Sequence, residues 1–221
     1  MKWIRAFLAA AATLGAASGA QAAGVGVRAG TTGIGADIGV SLMPTLSARL
    51  GYSGLSYNRG IDVTDVQYDG KLRLSNVNLL LDFSPLPGPF RITGGFIFND
   101  NKVDVTGKPT NGSYTINGVT YPASAIGSLG GTVKSGNQAA PYLGIGYGNV
   151  AGLGVNYYFD LGVMFQGTPG ASLSATCGSA LSSAQCAQLQ ANVAAEQTRL
   201  QDNISGFKYY PVANIGVTIG F

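Results

Sequence analysis

The chain has 221 residues, of which 46% are hydrophobic and only 10% charged, with 34 glycines, eleven tyrosines, two cysteines and no histidine. A soluble domain carries roughly 25% charged residues and about 7% glycine, so this composition fits a lipid-facing surface better than a water-facing one. No basic tract points to nucleic acid, and the lack of histidine removes the usual partner of a zinc site or of a nucleophile–base pair.

The first element is a leader. Residues 1–22 read MKWIRAFLAAAATLGAASGAQA: Lys2 and Arg5, then an apolar run too short for an ordinary membrane helix, then small residues at Ala20 and Ala22. This pattern predicts a secretory signal peptide cleaved after Ala22, with a mature domain over 23–221. Without Lys2 and Arg5, eleven basic residues face ten acidic ones, a formal net charge of +1.

No stretch of the mature chain is apolar for 18 residues, so no membrane-spanning helix is expected. Alternation of apolar and small or polar residues recurs instead, as in a strand with two unlike faces. It runs over Ala23–Thr31, Ile34–Leu42, Leu46–Tyr52, Lys71–Phe83, Phe90–Phe98, Ala140–Tyr147, Leu153–Phe165 and Tyr209–Phe221. Within Lys71–Phe83 the apolar phase changes after Leu74, which predicts a β-bulge near Ser75 and Asn76.

The connections fall into two classes. Met43–Thr45, Ser84–Pro89 and Gly148–Gly152 are compact and rich in turn formers. Those on the other side are more variable: Thr32 and Gly33, about 58–66, about 107–131 and about 168–206. Short turns alternating with longer loops are the mark of a membrane-spanning barrel, whose backbone groups find partners only if the sheet closes. The fold class is therefore all-β, an eight-stranded antiparallel transmembrane β-barrel. The last long loop carries a helix, starting at a capping box of Ser182 and Gln185 and stopping near Gly206. Residues 114–121 form a hairpin turning at Asn117 and Gly118. Two nearby cysteines in an exported chain, Cys177 and Cys186, predict a disulfide.

The chain finishes on NIGVTIGF, with Tyr209, Ile215, Val217, Ile219 and Phe221 on one face. This ending resembles the C-terminal assembly signal of bacterial outer-membrane proteins. The mature chain as a whole is similar to the small eight-stranded group that includes OmpX, OmpW and the membrane domain of OmpA, without the peptidoglycan-binding domain of full-length OmpA. The resemblance implies the cell outer membrane as location, with outer-membrane lipid, lipopolysaccharide and the barrel-assembly machinery as partners. Enzymes in this class resemble each other in needing a histidine, so no catalytic activity is expected, and no cofactor or metal.

By the same alternation Arg28, Asp37, Arg49, Asp82, Arg91 and Asp160 point inward. A Thr32-Gly33 turn would set Arg28 opposite Asp37, with Arg49 diagonal to the same carboxylate. A six-residue turn over Ser84–Pro89 would set Asp82 opposite Arg91. Lys71, Arg73 and Lys208 are expected inward at the outer mouth, as a site for anionic solutes or lipopolysaccharide phosphates or as a solvated rim. The favoured function is a structural or surface-interaction barrel filled by charged pairs, presenting its loops to a surface partner. The alternative is a narrow, porin-like channel for small solutes with weak anion preference, since inward basic residues outnumber acidic ones.

Overall fold

The computed structural model describes residues 22–63, 66–109 and 112–221, without the side chains of 61–63 and 66–68. The expected signal peptide, apart from Ala22, lies outside the described residues. Among the described residues thirteen strands and one α-helix follow in order. They are β1 (Ala23–Gly30), β2 (Gly33–Met43), β3 (Leu46–Val63), β4 (Val66–Phe83), β5 (Phe90–Asn99), β6 (Lys102–Pro109), β7 (Ser113–Ile116), β8 (Val119–Pro122), β9 (Ile126–Lys134), β10 (Ala139–Tyr147), β11 (Gly154–Met164), β12 (Gly170–Cys177), α1 (Ser183–Ile204) and β13 (Tyr210–Gly220).

All pairings are antiparallel, and eight of the strands form a closed cycle. The hydrogen-bonded order β1–β2–β3–β4–β5–β10–β11–β13 returns to β1. Both chain ends of this cycle lie together, where the Ala23 N–H donates to Phe221 O at 3.0 Å and the Phe221 N–H to Ala23 O at 2.8 Å. We call this the lower end.

The other strands occupy segments expected to be loops. β3 and β4 run 18 residues each, so 58–63 and 66 belong to strands. The segment 107–131 holds the end of β6, the β7–β8 hairpin and most of β9, and 168–206 holds β12 and α1. β4 serves two partners along one edge: Asn76–Phe83 pairs with β5, and Val66–Arg73 pairs with β6. Between them the Asp100 N–H donates to Ser75 O at 2.8 Å and the Ser75 N–H to Asn101 Oδ1 at 3.0 Å. β9 then adds to β6 and β12 to β9, building a wall above one side of the ring. These segments lacked the apolar band that made the ring strands visible, because their outer face is polar.

No bulge interrupts β4. The β3–β4 register is continuous from Leu46↔Phe83 to Val63↔Val66. Leu72 and Leu74 keep the phase of Asn76, Asn78 and Asp82, and what changes is the chemistry of the inner face, from polar in the ring to apolar in the wall. Farther along the wall α1 packs against β12 and the β7–β8 hairpin, with Leu189 and Val193 joining Tyr114, Ile116, Tyr121, Ile126, Leu129 and Ala175 in one core. The β7–β8 turn uses Asn117 (φ 51°) and Gly118 (φ 75°), as a type I′ hairpin requires.

At the lower end, the β10–β11 connection folds under the ring. Val150 and Ala151 are buried, and Thr218 Oγ1 donates to Asn149 O at 3.3 Å. A Cβ on Gly24 would meet Val150 O at 2.2 Å and one on Gly220 would meet Gly152 O at 1.7 Å, so glycine at both positions admits the turn.

Candidate functional site

The ring is inside-out. Its outer face carries exposed apolar side chains, among them Val155, Tyr157, Ile215 and Ile219, each more than half exposed. A soluble monomer rarely shows a contiguous apolar patch beyond a few hundred Å². Its inner face carries Arg28, Asp37, Arg49, Asp82, Arg91 and Asp160, each with 3% or less of its side chain exposed.

These six form one network with several neutral groups. Arg28 Nη1 donates to Asp37 Oδ1 at 3.0 Å, and its Nη2 donates to Ser53 Oγ at 3.1 Å and to Asn78 Oδ1. Arg49 Nη1 donates to Asp160 Oδ2 at 2.6 Å, and its Nη2 to Asp82 Oδ1 at 3.1 Å. Arg91 donates to Asp160 Oδ1 and to Gly148 O of the buried turn, and its Nε lies 3.2 Å from Asp82 Oδ1. Tyr158 joins the two halves: its hydroxyl donates to Asp37, and the guanidinium carbons of Arg49 and Arg91 lie 5.6 and 5.5 Å from its ring centroid. Three arginines against three aspartates leave no net charge, the condition under which buried charges are tolerated.

The glycines make room for it. A Cβ on Gly216 would lie 2.3 Å from the Tyr158 ring, and one on Gly51 would lie 1.9 Å from Asp37 Oδ1. Beside the network Leu80, Ile97, Ala140, Tyr142, Met164 and Val212 fill the lumen as an apolar cluster. The void left among Arg28, Asn78, Leu80, Tyr142, Asp160 and Asn214 is about 10 Å³, room for one water molecule at most.

The expected pairs meet with different registers. The β1–β2 turn is Thr31-Thr32, so Gly30 pairs with Gly33 and Arg28 with Gly35. Asp82 pairs with Thr93, and Arg91 extends beyond the β4–β5 pairing. Both ion pairs are therefore diagonal, two residues from the expected opposition, a distance that long side chains span. Arg49 bonds Asp82 and Asp160 instead of Asp37. Ser53, Asn78, Thr93 and Tyr158 belong to the network as well; the alternation places Asn78, Thr93 and Tyr158 inward, and Ser53 lies one residue beyond the expected third strand.

The outer-mouth residues stand elsewhere. Because β4 has no bulge, Lys71 and Arg73 share the outward phase of Val77 and Leu79, and Arg73 Nε lies 3.8 Å from Asp104 Oδ2. Lys208 is exposed in the link from α1 to β13. Cys177 and Cys186 form a disulfide joining the end of β12 to the first turn of α1. Tyr209, Ile215, Val217, Ile219 and Phe221 all lie on the outer face, and Tyr209 meets Phe165 edge-on at 5.6 Å.

Among the described residues no helix is long and apolar enough to cross a membrane, and no cluster of three metal-ligating side chains occurs. No family model matches the chain, and no functionally curated protein matches it. Among solved structures it is similar to CarO2 of Acinetobacter baumannii, with 24% identity and a TM-score of 0.61, over 90% of this chain and 98% of that one. CarO of the same organism matches with 24% identity and a TM-score of 0.58, over 90% and 97% of the two chains. The fold is that of the small outer-membrane β-barrel proteins.

Proposed function

On the premise of that fold, we propose that the closed cycle is an eight-stranded barrel spanning the bacterial outer membrane, with a structural and surface-presenting role and no open channel. The observation that carries this reading is the neutral, hydrogen-bonded network that crosses the ring, beside which the void among Arg28, Asn78, Leu80, Tyr142, Asp160 and Asn214 is only about 10 Å³. The lower end, with both termini and the tucked β10–β11 turn, faces the periplasm, reached after removal of the signal peptide. The wall and α1 stand outside as the element offered to a surface partner. The terminal face from Tyr209 to Phe221 is read by the assembly machinery. The chain is not an enzyme and takes no cofactor.

Single-channel recording tests this against the alternative of a narrow solute channel. Protein purified from outer membranes, and verified as folded by heat-shifted gel migration, is inserted in a planar bilayer. Silence is the expected result. Reproducible conductance steps in the unaltered protein, enlarged by Asp82→Ala with Arg91→Ala, overturn the filled-barrel reading in favour of a pore.

A further inference from the structure

On the outer face of the wall, Arg73 pairs with Lys102 and Lys102 with Lys134, across three adjacent strands. Directly opposed residues of antiparallel strands share a face with Cβ atoms about 4.5–5.5 Å apart, where like charges repel. Among the described residues neither lysine has a carboxylate within ion-pair distance. Arg73 has only Asp104, which also accepts from Thr132 Oγ1 at 2.9 Å. Lys71 pairs with Asp104 in the next row, and Asp100 lies beside Lys102. The patch thus holds four cations against two carboxylates, and its densest part is an unbroken row of three cations.

The position of the row is informative. On β4 the outward residues are Phe83, Leu81, Leu79 and Val77, then Ser75, then Arg73. Ten residues at about 3.4 Å each, tilted by about 40°, rise about 26 Å. The apolar band of an outer-membrane barrel is about 25 Å tall, so the row stands where that band ends. A groove of about 510 Å³ opens there, with Ile34 and Tyr52 at its apolar side and Arg73 and Lys102 at its basic side.

We propose that Arg73, Lys102 and Lys134 bind the phosphate head group of an outer-leaflet lipid, the phosphorylated lipid A of lipopolysaccharide, whose acyl chain lies along Ile34 and Tyr52. This rests on the reading of the ring as a membrane barrel with the wall outside. A free phosphate has the same charge, but it draws nothing from an apolar groove wall at the edge of the band.

The test uses protein purified from outer membranes in detergent and stripped of lipid. Native mass spectrometry measures its binding of diphosphoryl lipid A, of the dephosphorylated form and of inorganic phosphate as competitor. Dephosphorylation, or the combined Arg73→Gln, Lys102→Gln and Lys134→Gln variant, is expected to weaken binding roughly tenfold or more. Lys108→Gln, whose lysine pairs with Asp69 at 2.7 Å higher on the wall, is expected to leave it unchanged. Equal binding by the triple variant or of the dephosphorylated lipid overturns the proposal, and full competition by inorganic phosphate at equal concentration replaces the lipid with a free anion. Heat-shifted migration of every sample separates the two readings. If the unaltered protein shows no shift, the barrel itself fails; a normal shift with unaltered variant binding sinks the phosphate site alone.

Discussion

β11 and β12 follow each other in the chain and solve opposite problems with the same alternation. In β11 the outward residues are Val155, Tyr157, Phe159 and Leu161, and the inward ones include Asn156, Tyr158 and Asp160. In β12 the outward residues are Ser172, Ser174 and Thr176, and Leu173 and Ala175 join the core under α1. Thr176 Oγ1 lies 2.8 Å from Ser128 Oγ on that outer face. A strand takes its apolar face toward whatever excludes water. For the ring that is the surroundings, and for the wall it is the protein's own interior. A fully buried Leu or Val is worth about 1.5–3 kcal/mol, so α1 and the wall form an ordinary soluble core. The ring would instead expose that much at every outward side chain if it stood in water, and its interior must be held by polar contacts.

The sharpest way to break this contrast is Asp160→Ala. Asp160 accepts from Arg49 at 2.6 Å and from Arg91, and its removal leaves two buried guanidiniums sharing Asp82. Breaking a buried pair in this way costs about 3–5 kcal/mol. The expected outcome is a lower midpoint of denaturant unfolding in lipid or detergent and a weakened heat shift on gels. Protease resistance of α1 should survive wherever the ring still folds. An unchanged midpoint would mean that the lipid-facing side chains hold the ring without its network.

The ring was largely legible in the sequence because its outer face is apolar over whole strands, and every one of the eight expected strands has its counterpart there. What stayed hidden has physical causes. The upper halves of β3 and β4 carry Ser56, Asn58, Arg73, Lys71 and Asp69 outward, a pattern that composition alone shares with loops. The phase change at Leu74 suggests a bulge, since nothing in a sequence distinguishes an extra residue from an inner face turning apolar. A bulge there would carry Lys71 and Arg73 inward, whereas the continuous register keeps them outward. The registers of two hairpins slipped by two residues, which keeps every side chain on its face, and so the right residues met in diagonal positions. Tyr158 had the correct phase, but its place between Arg49 and Arg91 depends on closure of β11 against strands far away in the chain.

Two smaller perturbations act on the wall and should leave the ring alone. Cys177 and Cys186 are nine residues apart, and closing so short a loop is worth about 2–3 kcal/mol in the chain-entropy model. Their replacement by serine is expected to open α1 to limited proteolysis while the heat shift stays as in the unaltered protein. Loss of both together would make wall and ring one cooperative unit.

Ser182→Ala is finer still. Ser182 Oγ accepts from the Gln185 N–H, and Gln185 Oε1 accepts from the Ser182 N–H at 3.0 Å, a reciprocal cap on the first turn of α1. Its removal costs about 1 kcal/mol and is expected to speed amide hydrogen exchange in Gln185 and Cys186. The disulfide already pins Cys186 to β12, so the cap and the bridge restrain the same turn. The change in exchange should then be larger with Cys177 and Cys186 replaced by serine than with the bridge intact. Equal effects in the two backgrounds would mean that the turn is held by its own hydrogen bonds, with the bridge acting only on the link from β12.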